Sequence, residues 1–136
     1  MIRWLCDYGL RERNSRLGYR SFEDLEVWKQ ACRLAVRLYR ELKECRDFGM
    51  KDQMTRAAVS VASNIAEGAE RDSKQEYIRF IHIAKDSAAE LRTQLYIAGE
   101  TGLMKKPTTA ELIAELKHIS ATLQRIANTL KQRLST

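Results

Sequence analysis

Proline is nearly missing from this sequence, with Pro107 the single example in 136 residues. A proline inside a helix removes a hydrogen bond and clashes with the preceding turn, so its scarcity leaves long helices unobstructed. Glycine occurs only six times, while Ala, Leu, Lys, Arg, Glu and Gln, which all tolerate helix, are plentiful. Cysteine is limited to Cys6, Cys32 and Cys45. An odd number at no zinc-ligand spacing excludes a disulfide framework and leaves reduced, inert thiols, which suits a cytoplasmic setting. No apolar run approaches the roughly 20 residues of a membrane helix. Arg3 and Asp7 interrupt the apolar start of the chain, so it lacks the unbroken core of a secretory signal. Aromatics form no cluster that would stack bases, and no base-reading module is present.

What is present is positive charge, and its position matters more than its total of +6. Residues 1–20 carry five basic and two acidic side chains. Residues 21–102 carry thirteen and fourteen, and residues 103–136 carry six and two. The excess therefore sits at the two ends.

Hydrophobic spacing predicts four helices in one domain over residues 21–136, with residues 1–20 as an extension outside it. In the first helix Leu25, Trp28, Cys32, Ala35, Tyr39 and Leu42 form a seam at alternating steps of three and four. Val27, Ala31, Leu34 and Leu38 run beside it, an arc wider than one neighbouring helix requires. Ser21 with Asp24 resembles a short capping box, and Phe48-Gly49 reads as the end of the helix. The second helix is expected over about 51–67, with small inward residues and a stop at Gly68. Ser73 and Glu76 form a capping box for the third, which runs to about Thr101 before Gly102. Pro107, Thr108 and Glu111 open the fourth, whose seam is Leu112, Leu116, Ile119, Leu123, Ile126 and Leu130. Short links make neighbours antiparallel, so the expected fold is all-α, an up-down-up-down four-helix bundle.

Residues 19–103 resemble the four helix bundle protein family, also described as the 23S rRNA intervening-sequence proteins. The match is carried by Tyr19-Arg20-Ser21-Phe22-Glu23-Asp24-Leu25-Glu26-Val27-Trp28, by Arg56-Ala57-Ala58 with Ser60 and Ser63-Asn64-Ile65-Ala66-Glu67-Gly68, and by Glu76-Tyr77, Phe80, Ala84, Ser87 and Glu90-Leu91. Ala62 departs from the pattern, because many relatives place proline there. Asp86 stands where glycine is common. The resemblance implies ring-shaped homopentamers and no enzymatic activity. The related accessory variability protein of diversity-generating retroelements binds a reverse transcriptase and nucleic acid, and a similar partner is implied here.

Several constellations carry functional readings. Ser60, Asn64 and Glu67 share one face of the second helix, and Glu90 and Gln94 share one of the third, forming a polar seam that would fix helix register or line a contact groove. Lys105, Lys106, Lys117, Arg125, Lys131 and Arg133 are the candidate nucleic-acid contacts. The second apolar row, Val27, Leu34 and Leu38, is surplus for a lone bundle and marks an expected oligomer interface. Glu115 and His118 have a metal-bundle spacing, but one such pair flanking an apolar seam does not make a site. Neither histidine has the arginine partner of four-helix ribonucleases. The expectation is therefore a non-enzymatic, homo-oligomeric adaptor with no cofactor, metal, small-molecule substrate or membrane contact. It would touch RNA, DNA or an enzyme acting on them through basic surfaces. The alternative is a purely protein-binding or structural module whose charge aids solubility.

Overall fold

The computed structural model describes residues 21–134; the extension over 1–20 lies outside the described residues. A 3₁₀ turn at Phe22–Asp24 leads into four α-helices: α1 (Glu26–Glu41), α2 (Phe48–Ala69), α3 (Lys74–Glu100) and α4 (Lys106–Leu134). No strand is present among the described residues. Each helix packs on the next and α1 closes against α4. Ser60 meets Ser87, Gly68 meets Tyr77 and Phe80, Gly99 meets Thr109, and Arg37 meets Glu111 and Glu115. Along the α2/α3 seam residue numbers rise on one helix as they fall on the other, and Lys85 of α3 meeting Gln124 of α4, beside the Gly99–Thr109 contact, gives the same sense to α3 and α4, so these neighbours are antiparallel.

Local chemistry sets the helix boundaries. Ser73 accepts a hydrogen bond from the Glu76 amide at 3.2 Å, satisfying a donor that α3 itself leaves free. Gly102, at φ +76°, ends the turn after α3 in a conformation that side chains with a Cβ avoid. Phe48-Gly49 does not terminate α1. It opens α2, because Asp47 caps that helix by accepting from the Met50 amide at 3.1 Å. Ser21 and Asp24 form the 3₁₀ turn instead of an α-helical cap, and Ser21 Oγ donates to Glu23 at 3.3 Å. Gly68 lies inside α2, against Phe80. With alanine at position 62, α2 continues without interruption from 48 to 69.

The core corrects one sequence-based expectation. Val27, Leu34 and Leu38 are 3 %, 2 % and 0 % exposed within a single protomer. They are not a surface awaiting another copy. α1 lies against both α2 and α4, so the middle of its apolar arc points down the bundle axis. This central row meets Met54, Ile65, Leu91, Leu95, Leu116 and Leu123 in one continuous cluster. The other row is displaced toward α2: Trp28 and Cys32 are half-buried and Tyr39 is 51 % exposed. The width of the arc was visible in the sequence, but which edge remained outside was not.

Candidate nucleic-acid interface

The six cations expected to contact nucleic acid are all exposed or at the surface of α4, yet they do not form one face. Lys105 and Lys106 stand at the start of α4, where Lys106 pairs with Glu100 at 3.4 Å. Arg133 lies near the other end, roughly 40 Å away at 1.5 Å per residue. A helix turns about 100° per residue, so Lys106, Lys117 and Lys131 fall on the flank that contains Gln124, the acceptor of a hydrogen bond from Lys85 of α3. Arg125 and Arg133 fall on the opposite flank.

The structure brings Arg125 and Arg133 together along a cleft of about 310 Å³. Its apolar floor is Ile126 and Leu130, and Tyr77 reaches it from α3. The cleft exists because α4 is 29 residues long and α1 only 16, so the last turns of α4 extend past the start of α1. Burial pushes the Tyr77 phenol up from its ordinary range. Arg125 itself donates to Thr122 Oγ1 at 3.1 Å, an orientation that holds the guanidinium along the cleft.

One turn along α3 from Tyr77, Phe80 carries two further arginines. The guanidinium carbons of Arg71 and Arg79 lie 4.7 Å and 4.9 Å from its ring centroid, within cation–π range. Arg79 is also held by Glu76 at 3.2 Å. Sequence reading missed this pair, since residues 21–102 are balanced in charge as a whole and only the fold collects cations locally. The signal was present as Arg79-Phe80 beside Tyr77.

The polar seam is tighter and shorter than expected. Ser60 Oγ and Ser87 Oγ are 2.8 Å apart, joining α2 to α3. Asn64 donates to the Ser60 carbonyl at 2.8 Å and to its hydroxyl at 3.0 Å. Gln94, buried, donates to Glu90 at 3.3 Å along α3. Glu67 and Glu90 are exposed, so neither carboxylate forms a buried link across the seam. Ser87, a residue of the family pattern, supplies the cross-helix bond instead. Ser60, Asn64 and Ser87 satisfy one another, which suits register better than chemistry, while Gln94 Oε1 is buried without a hydrogen-bond partner.

Glu115 and His118 also separate in role. Glu115 lies 3.5 Å from Arg37, which Glu111 binds as well, so these carboxylates connect α4 to α1. Their charge, led by the hydrogen bond from Arg37 to Glu111, raises the Arg37 guanidinium above its already high range. His118 is exposed. No group of three His, Cys, Asp or Glu residues converges among the described residues. None of the described helices is long and apolar enough to cross a membrane.

Between α1 and α2 runs a second, mostly apolar groove of about 410 Å³. Ala35, Ala62 and Ala66 line its floor, with Trp28, Tyr39 and Val59 along its sides. Cys32 opens onto it, and burial pushes its thiol from 9.0 to about 11. The folded chain thus holds this proton to higher pH than the unfolded chain, so the associated stability is present below pH 9 and lost between 9 and 11. Thiolate is the reactive species, so alkylation of Cys32 is expected to rise about tenfold per pH unit until pH nears 11. Stopped-time mass spectrometry of a Cys6→Ser, Cys45→Ser chain would read this; a plateau near pH 9 would contradict it.

These features define a small helical-bundle protein with a cationic cleft at one end and an apolar groove along one side. The family profile described as 23S rRNA-intervening sequence protein matches residues 23–125, and the chain belongs to that family. It is similar to a crystal structure from Bacteroides thetaiotaomicron, a protein with unknown function from the S23 ribosomal protein family, at 25% identity and a TM-score of 0.70. That likeness covers 74% of this chain and 97% of the other. No protein with a curated description matches.

Proposed function

We propose that this chain is a non-catalytic, self-associating scaffold that holds nucleic acid, or an enzyme working on nucleic acid, against its cationic end. The observation that carries the reading is the collection of Arg125 and Arg133 beside Tyr77, with Arg71 and Arg79 on Phe80 one turn away. Arginine forks pair with phosphates, and a tyrosine in the same cleft offers a hydrogen bond and a partial stacking surface to an unpaired strand. Copies placed side by side would repeat a weak contact and raise its avidity. Val27, Leu34 and Leu38 no longer support assembly. The support that remains is the family resemblance and exposed apolar side chains such as the adjacent Tyr96 and Ile97, at 55 % and 49 %.

Fluorescence anisotropy with a single-stranded RNA tests the reading. Reversing Arg125 and Arg133 to glutamate should weaken binding by about tenfold or more and flatten the salt dependence by roughly one to two logarithmic units per decade of salt. Reversing Lys105 and Lys106, at the far end of α4, should change affinity much less. If the two arginine reversals leave affinity and salt slope untouched, the chain is a purely protein-binding or structural module. The exposed α1/α2 groove is the observation that favours that second reading.

A further inference from the structure

The polar atoms of the cationic cleft differ in what they still offer a ligand. Thr122, Ile126, Thr129 and Arg133 follow one another at steps of four, three and four on α4 and so share one face of that helix, with Arg125 and Leu130 beside them. A threonine hydroxyl has one proton to donate and two lone pairs that accept. Thr122 Oγ1 donates to the His118 carbonyl at 3.1 Å and accepts from Arg125 at 3.1 Å. Thr129 Oγ1 donates to the Arg125 carbonyl at 3.0 Å, and nothing among the described residues donates to it in return. Thr129 thus brings to the cleft an acceptor and no donor. A site for phosphate alone has no use for such an atom, because phosphate oxygens also carry lone pairs and the two repel.

Arg125 and Arg133 are eight residues apart on α4, or about 12 Å at the helical rise, and Thr129 lies midway. A strand that gives a phosphate to each arginine therefore carries a sugar past Thr129. Ribose presents a 2′-hydroxyl there, which can donate to Thr129 Oγ1, whereas deoxyribose presents only C–H and leaves the acceptor unpaired. The floor of Ile126 and Leu130 can take the face of an unpaired base, which a duplex keeps stacked inside itself. From Leu116 to Leu134, α4 has no acidic residue, so its own side chains along the cleft do not repel the strand.

We propose that the cleft selects single-stranded RNA over DNA, with Thr129 Oγ1 accepting from a ribose 2′-hydroxyl between phosphates held by Arg125 and Arg133. This selection rests on the cleft being a nucleic-acid site, as proposed above, and adds which nucleic acid it takes. Thr129 is the residue that sets the choice, while the arginines supply affinity common to both strands.

Fluorescence anisotropy on the full-length chain tests this with a labelled single-stranded RNA of adenine and cytosine only and the DNA of the same sequence, which differ in the 2′-hydroxyl alone. RNA should bind at least about fivefold more tightly. Thr129→Val, which keeps the shape and removes the hydroxyl, should lower RNA affinity to that of DNA and leave DNA affinity unchanged. Thr129→Ser, which retains the hydroxyl, should keep the preference. Thr129 is exposed, so both variants should retain the helical circular dichroism signal of the parent. Equal affinities for RNA and DNA that both fall on reversal of Arg125 and Arg133 would overturn the selection and leave the cleft a nucleic-acid site. A preference for RNA that survives Thr129→Val would also overturn it, since the 2′-hydroxyl would then be met elsewhere. Binding of neither strand, or binding indifferent to the arginine reversals, would remove the nucleic-acid reading itself and the selection with it.

Discussion

Leu38→Ala is expected to lower the unfolding free energy by about 2–5 kcal/mol, because it removes a fully buried side chain and leaves a cavity that surrounding helices close only in part. For a chain of this length the melting temperature should fall on the order of 10 °C. The loss should be the same at low and high protein concentration. A residue at a subunit contact would behave otherwise: its truncation would release monomers, and the melting temperature would depend on concentration. Thermal melts of Leu38→Ala at two concentrations, beside an exposed control such as Tyr39→Ser, therefore separate core from interface. The control should stay within about 1 kcal/mol. A Leu38→Ala chain that melts like the parent while losing mass in light scattering would return this row to the surface.

Gly68→Val should be the most damaging of the small substitutions. A Cβ at this position would stand 2.8 Å from Phe80 Cβ and 3.2 Å from Tyr77 Cδ1. Phe80 Cβ is bonded directly to the α3 backbone, so no rotamer change moves it away. α2 and α3 must separate, and overpacking of this kind costs about 1–3 kcal/mol. Gly68→Ala should lose less, since alanine gains about 1 kcal/mol of helix propensity over glycine. Gly49→Ala supplies the contrast. Its nearest new contact is Asp47 Oδ1 at 3.7 Å, so propensity prevails there and stability should rise. Urea midpoints of the three variants check the order, and a Gly68→Val chain as stable as the parent would remove the close approach. Because Tyr77 and Phe80 are the atoms displaced, Gly68→Val should also weaken RNA binding in the anisotropy assay.

Much of the architecture was legible in the residues alone. The α3 boundaries follow from Ser73, Glu76 and Gly102, whose roles are local: a hydroxyl meets an amide three residues away, and a glycine takes a positive φ. The α4 seam needed no tertiary help, since Leu112, Leu116, Ile119 and Leu123 share a face in any straight helix and all are buried. The start of α2 was misread at Phe48-Gly49. A glycine ends a helix in one context and stands in its first turn in another, and Asp47 decided between them.

Local rules depend on a few neighbouring residues, and the chain by itself therefore determined its helical class, the number of helices and most of their boundaries. It also carried the family pattern from the 3₁₀ turn through α3. Only the tertiary structure decided which of the two apolar rows on α1 points to the axis, because that depends on where α2 and α4 lie. It alone drew Arg125 and Arg133 to the cleft that Tyr77 enters, and Arg71 and Arg79 onto the ring of Phe80. Burial and electrostatic grouping depend on distances between residues far apart in the chain, and those distances exist only once the helices have packed.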